Sequence, residues 1–141
     1  MPLLLDAYAV IALLRGEPAA RELRAHLDKG ETVVHPLNLA EVIDRLVRVD
    51  GRDADDIEAD VALLNISVET PGRNRLIDAG RLRSRHYRKG ESEVSLADCV
   101  AASHALVQEY PLATSDAPLA RMMRSEGGEV FPLPNSKGER P

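Results

Sequence analysis

Four carboxylates in this chain fall at the ends of expected structural elements: Asp6, Glu41, Asp98 and Asp116. Asp6 closes the apolar run Leu3-Leu4-Leu5, and Asp116 follows the short run Leu112-Ala113-Thr114-Ser115. Glu41 lies early in the amphipathic stretch Asn38-Leu39-Ala40-Glu41-Val42-Ile43. Asp98 opens the small-residue stretch Leu96-Ala97-Asp98-Cys99-Val100-Ala101-Ala102. Acids at strand ends and helix starts can converge at one edge of a parallel sheet. Converging carboxylates repel one another unless protons or cations neutralise them. Hard oxygen donors point to Mg²⁺ or Mn²⁺, and a site of this kind suits metal-assisted phosphodiester cleavage.

Each acid also has a plainer reading. Asp6 and Asp116 can be N-caps of the helices that follow them. Asp98 can be a first-turn acid complementing a helix dipole. Helical periodicity puts Leu39, Ile43 and Leu46 on one stripe and Glu41 off it, as for a solvated helix acid. Asp44, one turn on, is either a supporting group or a surface charge. The four acids taken together argue for a site more strongly than any one of them.

Other chemistries are less well supplied. His26, His35, His86 and His104 lack the paired spacing of a zinc site and read as structural or surface residues. No G-x-x-x-x-G-K or G-x-G-x-x-G occurs, which disfavours an NTPase or a dinucleotide enzyme. The single cysteine, Cys99, reads as a small buried hydrophobe rather than a nucleophile, and excludes an intrachain disulfide. One basic stretch runs from Arg73 to Lys89. Within it Arg81, Arg85 and Arg88 share a helical face that can grip phosphates beside the acids, or serve as a solvated or partner-binding face.

The elements that must position these residues alternate along the chain. Strands are expected at residues 2–5, 32–35, 65–69, 111–114 and 129–133. Helices are expected at 7–14, 17–29, 37–49, 53–64, 73–87, 96–110 and 117–125, with Ser95 as a plausible cap placing Asp98 at the third helical position. Strand–helix alternation predicts an α/β fold, a mainly parallel sheet of about five strands covered on both faces. In such sheets the site lies at the carboxyl ends of strands, where Asp6 and Asp116 sit. Residues 1–133 read as a single domain and 134–141 as a polar tail, expected to be flexible.

Composition sets the outer bounds. At 141 residues and 44% hydrophobic the chain fits one domain with a real core. Three Tyr, one Phe and no Trp make that core aliphatic and argue against a base-stacking sheet that reads single-stranded RNA. The net charge of −5 is unlike that of a passive nucleic-acid binder, whose affinity comes from phosphate contacts. No signal sequence or membrane-length apolar run is visible, and a soluble cytoplasmic protein is expected.

The segments around Asp6, Glu41, Asp98 and Asp116 (Leu4-Leu5-Asp6-Ala7, Asn38-Leu39-Ala40-Glu41-Val42, Leu96 to Ala102, and Thr114-Ser115-Asp116) resemble the motifs of the PIN-domain family, in order and at suitable spacing. The resemblance runs from Pro2 to about Leu133, and the compact length is similar to that of VapC-type toxins of toxin–antitoxin modules. It implies a three-layer α/β/α sandwich and a Mg²⁺- or Mn²⁺-dependent endoribonuclease whose metal-binding acids are Asp6, Glu41, Asp98 and Asp116. It implies RNA as substrate, homodimerisation, and inhibition by a small cognate antitoxin, with Val10, Leu13 and Leu14 as candidate docking residues. Thr114 keeps the hydroxyl expected two residues before the last acid. Tyr8 departs from the pattern, standing where a Ser, Thr or Asn is usual. Two rivals share parts of this reading. A housekeeping PIN nuclease of RNA processing has the same motifs. A receiver-like binding module needs an acidic pair by the first strand and a late lysine, whereas Asp6 stands alone and no lysine lies between Lys89 and Lys137.

Overall fold

Leu3 and Leu5 bury against one set of helices and Leu4 against another, because successive side chains of a strand point to opposite faces. Val34 and Val33 split the same way, as do Ala113 and Leu112. The computed structural model describes residues 1–141. Its five short strands are β1 (Leu3–Leu5), β2 (Thr32–Val34), β3 (Ser67–Val68), β4 (Leu112–Thr114) and β5 (Val130–Pro132). They form one sheet in the order β3-β2-β1-β4-β5, with every pair parallel. All five expected strands are present, slightly shorter than the apolar runs that announced them.

Seven helices cover the sheet. On one face lie α1 (Ala7–Arg15), α2 (Ala19–Asp28), α3 (Pro36–Asp50) and α4 (Ala54–Leu63), which bury Val10, Leu23, Val42, Leu46 and Ile57 among the side chains of that face. On the other lie α5 (Arg73–His86), α6 (Leu96–Gln108) and α7 (Ala117–Ser125), which contribute Leu82, Val100, Ala101, Leu119 and Met123. Each fully buried leucine is worth about 1.5–3 kcal/mol relative to exposure. Burial on both faces therefore outweighs the weak pairing of strands only two or three residues long. This is the three-layer α/β/α sandwich, and Cys99 is a buried free thiol within its second face. No helix is long and apolar enough to cross a membrane.

The strand order carries the functional geometry. From β1 the chain moves outward through β2 to β3, and later returns to the opposite side of β1 as β4 and β5. The order thus reverses between β1 and β4, and the loops leaving their carboxyl ends part in opposite directions, opening a crevice. Asp6 follows β1 and Asp116 follows β4 at that point, with the Asp6 amide donating to the Ala113 carbonyl at 3.3 Å. Residues 134–141 lie back on the body of the protein: Arg140 pairs with Glu22 and donates to the Pro132 carbonyl, and Tyr8 Oη donates to the Pro134 carbonyl.

Candidate metal centre

Asp6 is both a cap and a cleft residue. Its Oδ1 accepts from the Ala9 amide at 2.8 Å, ending the first turn of α1, while the side chain also lines a cleft of about 490 Å³. Asp116 repeats the arrangement on α7, accepting from the Leu119 amide at 2.9 Å and lining the same cleft. Asp98 is placed by Ser95, whose Oγ caps α6 by accepting the Asp98 amide at 3.0 Å. The capping readings and the site reading are thus compatible. Capping is how the fold brings these acids to one place, and the helix N-termini they face favour negative charge there.

Glu41 corrects the periodicity argument. The fully buried stripe of α3 is Asn38, Val42 and Leu46, with Leu39 and Ile43 only partly covered. Glu41 lies one turn from Asn38, at the edge of that stripe, and lines the cleft with the three aspartates. Asn38 Nδ2 donates to Glu41 Oε2 at 2.7 Å and holds it there. A register set by a buried polar residue is invisible to a search for apolar spacing.

Two further residues tie the acids together: His35, whose contacts no local pattern reveals, and Thr114, whose hydroxyl the motif resemblance singles out. His35 is fully buried and caps α3 through Nδ1, which accepts from the Leu37 and Asn38 amides at 3.2 and 3.3 Å. Its Nε2 lies 3.1 Å from the Ala97 carbonyl. With Nδ1 accepting, Nε2 carries the proton and donates, so the ring ties the helix of Glu41 to the turn that bears Asp98. Burial holds the imidazole down at about 4, so it stays neutral in this role. Thr114 is the second link: its Oγ1 accepts the Asp116 amide at 2.9 Å, and it also hydrogen-bonds the Asp6 side chain.

The electrostatics record the crowding. Burial, reinforced by the charges of Asp98 and Asp116, pushes the Asp6 carboxyl up to about 7 against the pull of Thr114 and Ala9. Burial, then the charges of Asp116 and Glu41, push Asp98 up to about 6. A cation in the cleft relieves both causes. Four carboxylates form a hard oxygen donor set, so the residues fit Mg²⁺ or Mn²⁺. No three His, Cys, Asp or Glu side chains are drawn into a finished ligand cage. The acids line a cleft, and Mg²⁺ in particular is held by few carboxylates and keeps several of its waters.

Tyr8 lines the cleft, and its hydroxyl donates to the Pro134 carbonyl at 2.9 Å. Burial, with the Glu17 charge behind it, pushes the phenol up to about 12, so it remains a donor. The arginines in the cleft are Arg15, Arg45 and Arg48. Arg81, Arg85 and Arg88 lie outside it: Arg81 pairs with Asp78, Arg85 with Glu126, and Arg88 donates to the Tyr87 carbonyl. Asp44 is at the exposed rim, paired with Arg48. Val10 is sealed in the core and unavailable to a partner, whereas Leu13 is partly exposed on a second cavity of about 460 Å³ with Leu27, Leu63 and Leu64.

The sequence profile of the PIN domain matches residues 3–124, a span that includes all four acids and every strand but β5. The chain belongs to the PIN-domain family. PIN domains are nucleases, which places this one among hydrolases acting on nucleic acid. No curated protein matches it in sequence. Several solved structures share its shape. A chain of VapBC2 from Rickettsia felis, bound to a DNA fragment from its promoter, matches with a TM-score of 0.66 and 17% identity, over 86% of this chain and 93% of that one. A chain of FitAcB from Neisseria gonorrhoeae matches with a TM-score of 0.65 and 19% identity, over 92% and 96%. A chain of a toxin–antitoxin complex from Klebsiella pneumoniae matches with 0.59 and 16%, over 81% and 86%. At these identities the likeness is one of fold. This PIN domain has its acids at the switch point of that fold.

Proposed function

We propose that this PIN domain is the toxin of a toxin–antitoxin module, a Mg²⁺- or Mn²⁺-dependent endoribonuclease with Asp6, Glu41, Asp98 and Asp116 as metal ligands. The observation that carries the nuclease reading is the convergence of four acids, from four separate elements, on one cleft. The toxin reading is supported by the toxin–antitoxin complex among its structural neighbours, and by a length that those neighbours' matched chains share.

The chain's own residues prepare the reaction. Asn38, Ser95, Thr114 and the first turns of α1 and α7 fix the carboxylates before substrate arrives, so little reorganisation is left to the chemical step. Asp6, Glu41, Asp98 and Asp116 would hold the cation as carboxylate anions, so Asp6, pushed up to about 7, would be the acid with a proton to lose near neutral pH. A bound divalent ion supplies a nucleophile activated at neutral pH and offsets charge on the phosphoryl and leaving oxygens. The N-terminal turns of α1, α6 and α7 add amide dipoles that favour an incoming phosphate. The basic face of Arg81, Arg85 and Arg88 lies apart from the cleft, where a longer RNA can run.

An antitoxin segment laid over the cleft would present an Arg or Lys to the same acids, since a side-chain cation satisfies them as a metal does. Leu13, on the second cavity with Leu27, Leu63 and Leu64, is an apolar anchor for its flanking part, and two copies of the chain pair about a two-fold axis.

Induced expression in a bacterial host tests the whole reading. Wild-type chain arrests growth and degrades RNA, the product of an adjacent small gene relieves the arrest, and Asp98→Asn is harmless. Growth unaffected by soluble wild-type protein contradicts the toxin assignment. RNA left intact by the purified protein with Mn²⁺ contradicts the nuclease assignment.

A further inference from the structure

Cations in an acid-lined cleft are normally consumed by their neighbours, and two of the three here are. Arg15 is held by Asp50 through two hydrogen bonds of 2.9 and 2.7 Å, with Glu17 at 3.7 Å. Arg48 is paired with Asp44 at 3.1 Å. Arg45 lines the same cleft, is exposed, and makes neither a hydrogen bond nor a salt bridge.

Its position follows from the helix. Arg45 is one turn after Glu41, so it lies about 6 Å further along α3 at 1.5 Å per residue, on the same side. That is on the scale of one nucleotide of an extended single strand. A polyanion entering this cleft meets six acidic side chains, Asp6, Glu17, Glu41, Asp44, Asp98 and Asp116, and the whole chain carries a net charge of −5. A free guanidinium beside the acids is the local group able to offset that repulsion, and its planar fork matches a phosphate.

We infer that Arg45 binds the backbone phosphate next to the scissile one and thereby sets the register of a single-stranded RNA in the cleft. This deepens the endoribonuclease reading and rests on it. Recognition of a phosphate carries no base information, so Arg45 positions the strand without choosing its sequence. The paired arginines keep the cleft walls in place: Arg15 joins α1 to α3 through Asp50, and Arg48 stays on its own helix.

The test uses fluorescence anisotropy of a labelled oligouridylate with full-length Asp98→Asn protein, which leaves the RNA intact, across a range of potassium chloride concentrations. Adding Arg45→Ala weakens binding about tenfold, as for a lost charged hydrogen bond. It also flattens the slope of log affinity against log salt by about 0.7, as expected for one single-strand phosphate contact. Arg45→Lys keeps the slope. Lys29→Ala, at the opposite end of the sheet just before β2, changes neither quantity. In the active background, Arg45→Ala raises KM more than it lowers kcat, because the contact exists before the transition state. Unchanged affinity and slope for Arg45→Ala, in a chain whose parent cleaves RNA, overturns the inference and leaves the nuclease reading standing. A parent chain that neither binds nor cleaves RNA overturns both.

Discussion

At the scale of single residues, the acids of the cleft trade stability for chemistry. Burial and crowding put Asp6 and Asp98 at about 7 and 6 in the folded chain against an ordinary 3.8, so the native chain holds protons that the unfolded chain has released. The stability from these two groups is present at low pH and is lost as pH rises through their folded values. His35 works in the opposite direction, since the unfolded chain binds its proton between about 4 and 6.5 and the native chain does not. Asp98→Asn removes one carboxyl and, with it, part of the repulsion that raises Asp6. Without metal, the substitution should stabilise the fold at pH 8 by on the order of 1 kcal/mol relative to its effect at pH 5. Thermal melts in EDTA at the two pH values check this, and equal differences at both contradict the crowded-acid picture. The same variant should lose cleavage of RNA, separating what the acid costs the fold from what it does for the site.

At the scale of elements, the site depends on ties between helices that are far apart in sequence. Asn38 should act through Glu41: Asn38→Asp keeps the size and shape, replaces the donor with a like charge, and should weaken Mn²⁺ binding about tenfold with little change in secondary structure. His35→Ala should cost about 2 kcal/mol, because it uncaps α3 and leaves the Ala97 carbonyl without its donor. Denaturant titration measures the second effect and metal titration the first. Reversal of the two outcomes would mean that the roles of these residues are exchanged. These elements also mark how far the sequence could be read. Strand–helix alternation, the Ser95 cap and the acids after β1 and β4 were legible because each leaves a local signature. The stripe of α3 was not, since a buried asparagine begins it. Tyr8 could not be paired with Pro134, 126 residues away, nor His35 with Ala97, 62 residues away, because such contacts exist only in the folded chain. The free cation of the cleft was equally hidden: Arg45 is conspicuous only after Arg15 and Arg48 are seen to be taken.

At the scale of the whole molecule, the two sets of helices divide the work between core and cleft. The sheet supplies a rigid floor, its switch point supplies the opening, and α3 brings Glu41, its support Asn38 and the unpaired Arg45 to the cleft on one helix. Light scattering of the isolated chain should give the mass of a dimer, and co-expression with an adjacent antitoxin gene should give a larger complex that no longer cleaves RNA. A monomer that co-purifies with nothing would leave the PIN fold in place and remove the toxin assignment. The central claim, that four acids from four elements together hold a divalent cation, is tested most directly by calorimetric titration of Mn²⁺ into the purified chain near pH 7. Saturable binding with release of protons is expected, because Asp6, pushed up to about 7, must ionise fully to become a ligand, and that binding should be lost in Asp98→Asn. Binding that is unchanged by Asp98→Asn, or no binding at all in a chain that cleaves RNA in EDTA, would contradict it.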